Sequence, residues 1–120
     1  MSRILIIDDD DDLRMTLSMR LASEGFQVND ASGISKALQF IESDRPDLIV
    51  MDVLMPEMDG LSALKEINAV TEKKIPVIIM TGTASQMEDV FRLEGARGFL
   101  KKPFDSSKLL AQIRKIQAAS

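Results

Sequence analysis

Short, unbroken apolar runs alternate along this chain with segments in which apolar residues recur at helical spacing. The three strongest runs, each rich in β-branched or long aliphatic residues, lie at Ile4–Ile7, Leu48–Met51 and Val77–Met80. Short runs without polar interruption are typical of strands buried on both faces, as in a parallel sheet. Weaker runs at Phe26–Val28 and Phe99–Leu100 complete a predicted set of five strands.

Helical periodicity fills the segments that follow the strands. It predicts five helices, whose first apolar positions are Leu13, Ile34, Leu61, Met87 and Leu109. Side-chain oxygens placed just before a helix satisfy its free N–H groups, so Asp11 or Asp12 is expected to cap the first helix. Ser106 and Ser107 are expected to do the same for the last helix.

Five strands alternating with five helices predict an α/β fold, a doubly wound parallel sheet with right-handed crossovers and helices on both faces. Periodicity alone leaves the strand order open. The flavodoxin-like (βα)5 arrangement, with strand order 2-1-3-4-5, is the common solution at this size, and ligands bind beyond the carboxyl ends of its strands. A length of 120 residues fits a single domain over positions 1–120, either complete or cut from a longer protein.

Composition narrows the possible chemistry. The chain has no cysteine and no histidine, which excludes disulfides, thiolate or histidine metal ligands and Ser-His-Asp catalysis. Residues 1–60 carry 5 basic and 13 acidic side chains (−8) and residues 61–120 carry 10 and 6 (+4), giving the net charge of −4. Because the basic residues are scattered, direct nucleic-acid binding is not expected. Apolar runs too short for a membrane span favour a cytoplasmic protein.

Reactive polar side chains follow the strands at the edge where such sheets bind ligands. Strand one runs into Asp8 and Asp9, strand three into Asp52 and strand four into Thr81. Lys102 follows strand five after one intervening residue. Because the carboxyl ends of parallel strands meet at one edge, these side chains are expected to converge. The later aspartates of the run after strand one are interpreted as a helix cap and solvated charge.

Three carboxylates packed closely repel one another, and two of them could not stay ionised without a counter-charge. Mg²⁺ resolves this repulsion, because it prefers oxygen ligands and keeps several waters. Lys102 adds an ammonium at the same place. A metal and an ammonium aimed at Asp52 would neutralise approaching anionic oxygens, as phosphoryl transfer requires, and the carboxylate could then form an acyl phosphate. Thr81 can donate its hydroxyl to a phosphoryl oxygen.

Five segments combine these features in a fixed order. They are Ile4–Asp10, Asp52–Gly60, Met80–Gly82, Gly95–Ala96 and Lys102–Asp105. Each segment alone is a weak signal, whereas the set in this order and spacing is highly specific. Over essentially its whole length the chain resembles the receiver domain of two-component response regulators.

The resemblance implies a phosphorylation site and a metal site. It implies that Asp52 accepts a phosphoryl group from the phosphohistidine of a sensor histidine kinase or from a phosphotransfer protein. It further implies that Asp9, Asp52 and the backbone carbonyl of Leu54 bind Mg²⁺ directly, while Asp8 assists through water. The chain would then be a signalling domain whose only reactions are Mg²⁺-dependent self-phosphorylation from a phosphodonor and self-dephosphorylation. An apolar Leu54, with Thr83, stands where family members tune phosphoryl lifetime, and slow dephosphorylation is expected.

A relay to a downstream effector is implied as well. Lys102 would pair with the phosphorylated carboxylate, next to a cis Lys102–Pro103 bond. Thr81 would move to bond the phosphoryl group, and Phe99 would act as the aromatic switch. These movements would reshape the surface of the fourth helix, fifth strand and fifth helix.

The region around strand five departs from one branch of the family. Regulators of the winged-helix DNA-binding class carry an Asp-Asp-Tyr run there and dimerise through it with an arginine of the fifth helix. Arg97, Gly98, Phe99 and Gln112 occupy those places in this chain. That dimer mode is therefore not expected. Phe99, which lacks a tyrosine hydroxyl, is expected to favour its inward position.

Three other interpretations were weighed against the receiver. A haloacid-dehalogenase-type phosphatase needs a second acid two residues after its nucleophile, where this chain has Leu54. A Rossmann-type nucleotide binder needs a glycine-rich loop where this chain has Asp8–Asp12. A receiver-like scaffold that binds partners without phosphorylation remains open.

Overall fold

The computed structural model describes residues 2–55, 58–82 and 87–119. The Asp52–Gly60 segment includes Pro56 and Glu57, which lie outside these ranges. Thr83, named above for phosphoryl lifetime, also lies outside them.

A central sheet of five strands organises the fold. The strands are β1 (Arg3–Ile7), β2 (Gln27–Ala31), β3 (Leu48–Asp52), β4 (Val77–Thr81) and β5 (Gly98–Lys101). All neighbouring strands are parallel, and their order in the sheet is β2-β1-β3-β4-β5. This order confirms the predicted flavodoxin-like arrangement and places the switch point between β1 and β3.

Helices cover both faces of the sheet. They are α1 (Asp11–Ser23), α2 (Ile34–Ser43), α3 (Gly60–Thr71), α4 (Glu88–Leu93) and α5 (Ser106–Ala119). Alternate strand residues face opposite layers, so Ile49 packs towards α2, α3 and α4 while Val50 packs towards α1 and α5. Every residue of β3 and β4 is buried, as the unbroken apolar runs predicted.

The boundaries of the edge strands and the helix caps differ from the predictions. Strand β2 continues to Ala31 through the polar Asn29 and Asp30, because an edge strand keeps polar positions in contact with water. Neither Asp11 nor Asp12 caps α1. The helix already begins at Asp11, so the capping position falls on Asp10, whose carboxylate accepts from the N–H of Leu13.

The start of α5 also differs from the prediction. Asp105, rather than Ser106 or Ser107, supplies the capping oxygen, because its carboxylate accepts from the N–H of Ser107 at 2.9 Å. Between β3 and α3, residues 54–55 form a short antiparallel pairing with residues 58–59. Among the described residues, no helix is both long and apolar enough to cross a membrane.

Candidate functional site

The carboxyl ends of β1 and β3 bring three carboxylates together. Strands β1 and β3 pair with Ile7 opposite Met51, so the residues that follow, Asp8 and Asp52, are neighbours at the sheet edge. Asp8 is fully buried and Asp52 is 4% exposed, whereas Asp9 faces solvent. One carboxylate oxygen from each of the three lies within 4.8 Å of the others. The predicted convergence of the acidic residues is therefore present.

Lys102 lies against two of these carboxylates. Its Nζ is 2.7 Å from Asp8 Oδ2 and 3.1 Å from Asp52 Oδ2. The backbone at this point is anchored to β4, because the N–H of Lys102 donates to the carbonyl of Thr81 at 2.7 Å. The Lys102–Pro103 peptide bond is cis, as the resemblance implied.

Backbone N–H groups satisfy the second oxygen of each buried carboxylate. Asp8 Oδ1 accepts from the N–H of Asp10 at 2.9 Å, and Asp52 Oδ1 accepts from the N–H of Leu54 at 3.0 Å. Each buried carboxylate thus has one oxygen towards the chain that follows it and one towards Lys102. Both side chains are held in fixed orientations before any ligand arrives.

Burial and neighbouring charges shift the pKa values of Asp52 and Lys102. Burial raises the pKa of Asp52, and the charge of Asp8 adds to the rise, although the N–H of Leu54 and the ammonium of Lys102 oppose it. Burial also works against the charged form of Lys102, but its contacts with Asp8 and Asp52 outweigh this and raise its pKa. The site therefore carries an electrostatic cost that a further cation would relieve.

The donor set fits a hard divalent cation. Three carboxylates and one ammonium leave a formal charge of −2 at the cluster of Asp8, Asp9 and Asp52 beside Lys102. Carboxylate oxygens with an open, solvent-facing side suit Mg²⁺, which keeps several waters when bound. The solvent-facing Asp9 leaves such a side.

Comparison with known protein families identifies the family to which this chain belongs. The response regulator receiver domain family matches residues 4–114. The chain belongs to that family. Aspartate phosphorylation and Mg²⁺ are typical of it, so the chain is a signalling domain of a phosphorylation-dependent two-component system.

Relatives and solved structures agree with this assignment. Response regulator MprA of Mycolicibacterium vanbaalenii is 40% identical over 113 residues, which cover 93% of this chain and 48% of that protein. The chain therefore spans about half the length of the curated relatives it matches. Chemotaxis protein CheY4 of Vibrio cholerae superposes with a TM-score of 0.89 at 30% identity, covering 96% of this chain and 98% of that one. Response regulator TrrA of Thermotoga maritima, solved with Mg²⁺ and BeF, gives 0.84 at 28%, covering 96% and 98%.

Two further residues named for the receiver domain lie in the neighbouring strands β4 and β5. Thr81 ends β4 and is 2% exposed, while Phe99 is half-buried in β5. Both line a cleft of about 140 Å³, together with Leu54 and the half-exposed Met87. The ring of Phe99 contacts that of Phe91 in α4, with centroids 6.4 Å apart. Strand β5 and helix α4 are thus connected through aromatic packing.

Arg14 was not among the residues predicted for the site. Its guanidinium binds the backbone carbonyl of Asp8 and the carboxylates of Asp11 and Asp30. One signal was present in the sequence, because a cation in the first turn of a helix opposes the helix dipole and needs compensating partners. The partner in β2 lies sixteen residues away and is brought near only by the fold.

Proposed function

We propose that Asp52 accepts a phosphoryl group from the phosphohistidine of a sensor histidine kinase or phosphotransfer protein, in a Mg²⁺-dependent reaction. The observation that carries this proposal is the setting of Asp52, a buried strand-end carboxylate that contacts Lys102 beside a second buried carboxylate, Asp8. In the reaction an oxygen of Asp52 forms a bond to phosphorus while the phosphorus–nitrogen bond breaks. The histidine leaves with its electron pair, and an acyl phosphate remains on Asp52.

Different residues of this chain would bind the metal and stabilise the phosphoryl charge in that step. Asp9, Asp52 and the backbone carbonyl of Leu54 would bind the metal directly, with Asp8 assisting through water. When bound, Mg²⁺ supplies positive charge that offsets the phosphoryl oxygens. Lys102 supplies a second positive charge from the protein and follows the new negative charge on Asp52. The support is the charge of −2 that the three carboxylates and Lys102 leave at the sheet edge.

We further propose that Thr81 and Phe99 carry the change to the α4–β5–α5 surface. A phosphoryl group adds nearly two negative charges and three acceptor oxygens, to which the hydroxyl of Thr81 can donate. Movement of Thr81 would open space for Phe99 in the cleft that both residues line. Because the ring of Phe99 contacts Phe91, a shift of one ring requires the other to adjust. A downstream effector would recognise the resulting surface.

The proposed activity is that of a switch rather than of a turnover enzyme. Residues 1–120 would act as one receiver domain that phosphorylates itself from a donor and loses the group by hydrolysis. Leu54 is 51% exposed beside Asp52 and carries no polar group to orient an attacking water, so hydrolysis should be slow. We assign no nucleic-acid contact to this domain, because its basic residues form no aromatic-lined patch in the sequence.

Phosphorylation from a small donor tests the proposal. Wild-type protein incubated with acetyl phosphate and Mg²⁺ should gain the mass of one phosphoryl group, and Asp52→Ala should not. Asp44→Ala removes an exposed carboxylate at the end of α2 and is the matched control, which should behave like wild type. Absence of any Mg²⁺-dependent change in wild type, by intact mass or by NMR with beryllofluoride, would contradict the proposal. Robust turnover of a phosphomonoester would favour a phosphatase instead.

The relay has a separate test at Thr81. Thr81→Ala should leave phosphorylation of Asp52 largely intact but reduce the NMR shift changes that beryllofluoride causes in α4, β5 and α5. Thr81→Ser keeps the hydroxyl and should retain most of the response. Equal loss of phosphorylation and of the shift changes in Thr81→Ala would show that Thr81 has a structural role only.

A further inference from the structure

The guanidinium of Arg14 joins three parts of the chain beside the acidic cluster. Nη1 donates to the backbone carbonyl of Asp8 at 2.7 Å, Nη2 to Asp11 Oδ1 at 2.7 Å, and Nε to Asp30 Oδ1 at 2.8 Å. The side chain is 15% exposed. Its fork therefore ties the end of β1 to the end of β2 and to the first turn of α1.

The carbonyl that Arg14 binds belongs to the peptide unit between Asp8 and Asp9. The orientation of that unit sets the direction in which the side chain of Asp9 leaves the backbone. Asp8 is also fixed by its own contacts with Lys102 and with the N–H of Asp10. Asp9, whose carboxylate faces solvent, makes no side-chain hydrogen bond to any other residue that the structure describes. Arg14 is therefore the side chain best placed to fix the direction of Asp9.

The contacts of Arg14 compensate for an unfavourable place. A cation near the N-terminus of a helix opposes the helix dipole, and here it lies in the turn that follows Asp10. The hydrogen bond with Asp30, together with Asp11, raises the pKa of Arg14 despite partial burial. Arg14 thus stays charged and held on two sides by carboxylates, with its third contact on the carbonyl of Asp8.

We propose that Arg14 is a positioning residue for the divalent cation site, holding the Asp8–Asp9 peptide unit in the orientation that metal binding requires. This inference rests on the proposed function of Asp8, Asp9 and Asp52. The positioning role predicts a change in Mg²⁺ affinity opposite in direction to the change expected from charge alone. Removing a positive charge beside an acidic site should by itself tighten the binding of Mg²⁺, whereas losing the position of Asp9 should weaken it.

Three variants separate position from charge. Arg14→Lys keeps the charge but loses the fork, because an ammonium is a compact donor that cannot reproduce all three contacts. Arg14→Gln loses both charge and fork. Arg20→Gln removes the same charge from an exposed position about 9 Å farther along α1 and serves as the matched control. Circular dichroism and urea unfolding establish that each variant is folded.

Calorimetric titration with MgCl₂ gives the first readout. Arg14→Gln should bind Mg²⁺ about tenfold more weakly than wild type, and Arg14→Lys should fall between the two. Arg20→Gln should bind as tightly as wild type or slightly more tightly. Amide hydrogen exchange in metal-free protein gives a second readout, since the N–H of Asp10 donates to Asp8. Its exchange should be faster in both Arg14 variants and unchanged in Arg20→Gln.

The outcomes distinguish this inference from the proposed function. Wild type that binds Mg²⁺, with Arg14→Lys and Arg14→Gln binding equally or more tightly, would overturn the positioning role alone. Wild type that fails to bind Mg²⁺ would overturn both the proposed function and the positioning role. Weaker binding in both Arg14 variants with unchanged exchange at Asp10 would place the effect outside the Asp8–Asp9 peptide unit and also contradict the inference.

Discussion

Lys102→Met removes the ammonium from two buried carboxylates while keeping most of the aliphatic stem. Lys102 Nζ is 2.7 Å from Asp8 and 3.1 Å from Asp52. At an effective dielectric constant of about 20, these contacts correspond to roughly 6 and 5 kcal/mol of gross Coulomb attraction. Desolvation offsets much of that attraction, because burial is the largest influence on the pKa of Lys102.

The Coulomb attraction is therefore larger than the loss of folding stability expected for Lys102→Met. A carboxylate left buried without its counter-charge can take up a proton instead, and neutralising a carboxyl with a pKa of about 3.9 costs about 4 kcal/mol at pH 7. Burial already raises the pKa of Asp52, so protonating its carboxylate costs less than this value. We expect Lys102→Met to reduce the free energy of unfolding of metal-free protein by about 2–4 kcal/mol at pH 7.

The loss of folding stability in Lys102→Met should grow as the pH rises. Without Lys102, the folded-state pKa of Asp52 lies further above its unfolded value. Stability linked to a raised pKa is fully present below the unfolded pKa and is lost as pH rises through the folded pKa. The variant should therefore approach wild type near pH 4 and fall progressively below it towards pH 7, with the unfolded carboxyl titrating at about 3.9.

Urea unfolding in EDTA, followed by circular dichroism between pH 4 and pH 7, measures this loss. Lys101→Met is the matched control, since the neighbouring lysine is exposed and forms no ion pair with any other described residue. Its effect should stay within about 0.5 kcal/mol. A loss in Lys102→Met no larger than that of the control, or one that does not change with pH, would refute the counter-charge role of Lys102.

Two further predictions concern the scaffold of the site. Gly60→Ala would place a Cβ 2.7 Å from Val53 Cα and 2.8 Å from Val53 Cγ1. It should therefore lower the free energy of unfolding, measured in urea, by about 1–3 kcal/mol. Gly82→Ala is the control, because its Cβ would enter open space and the loss should be smaller. Equal losses would contradict the close approach at Gly60. Asn68→Ala removes the 2.7 Å hydrogen bond from Nδ2 to the carbonyl of Glu94, so it should cost about 1–2 kcal/mol and speed amide exchange at the end of α4. Unchanged exchange there would show that Asn68 does not hold α4.

The sequence predicted the interior of the fold better than its edges. Strands β1, β3 and β4 are covered on both faces, so an unbroken apolar run identifies them directly. Strand β2 lies at the edge of the sheet, where Asn29 and Asp30 can stay solvated, and no apolar run marks its full length. The cap of α1 was misplaced because, in a run of aspartates, the first helical residue decides which carboxylate reaches a free N–H.

The candidate site could be predicted as far as strand ends determine it. Asp8, Asp9 and Asp52 converge because β1 and β3 are neighbours, which follows from the strand order. The preference of Lys102 for two carboxylates at once depends on loop geometry after β5. The role of Arg14 depends on a backbone carbonyl, which has no signature in the sequence. Contacts to backbone atoms are therefore the part of this site that only a structure reveals.

The charge arrangement also favours metal binding before phosphorylation in the proposed switch. Lys102 lies closer to Asp8 than to Asp52, so in metal-free protein its charge is shared by two buried carboxylates. A phosphoryl group on Asp52 would add nearly two negative charges, which one shared ammonium cannot neutralise. A divalent cation held beside Asp8 and Asp9 would offset part of the charge of Asp8 and so weaken its attraction for Lys102. The ammonium could then follow Asp52, so Lys102, which contacts both buried carboxylates in the metal-free site, would supply part of the positive charge that stabilises the acyl phosphate.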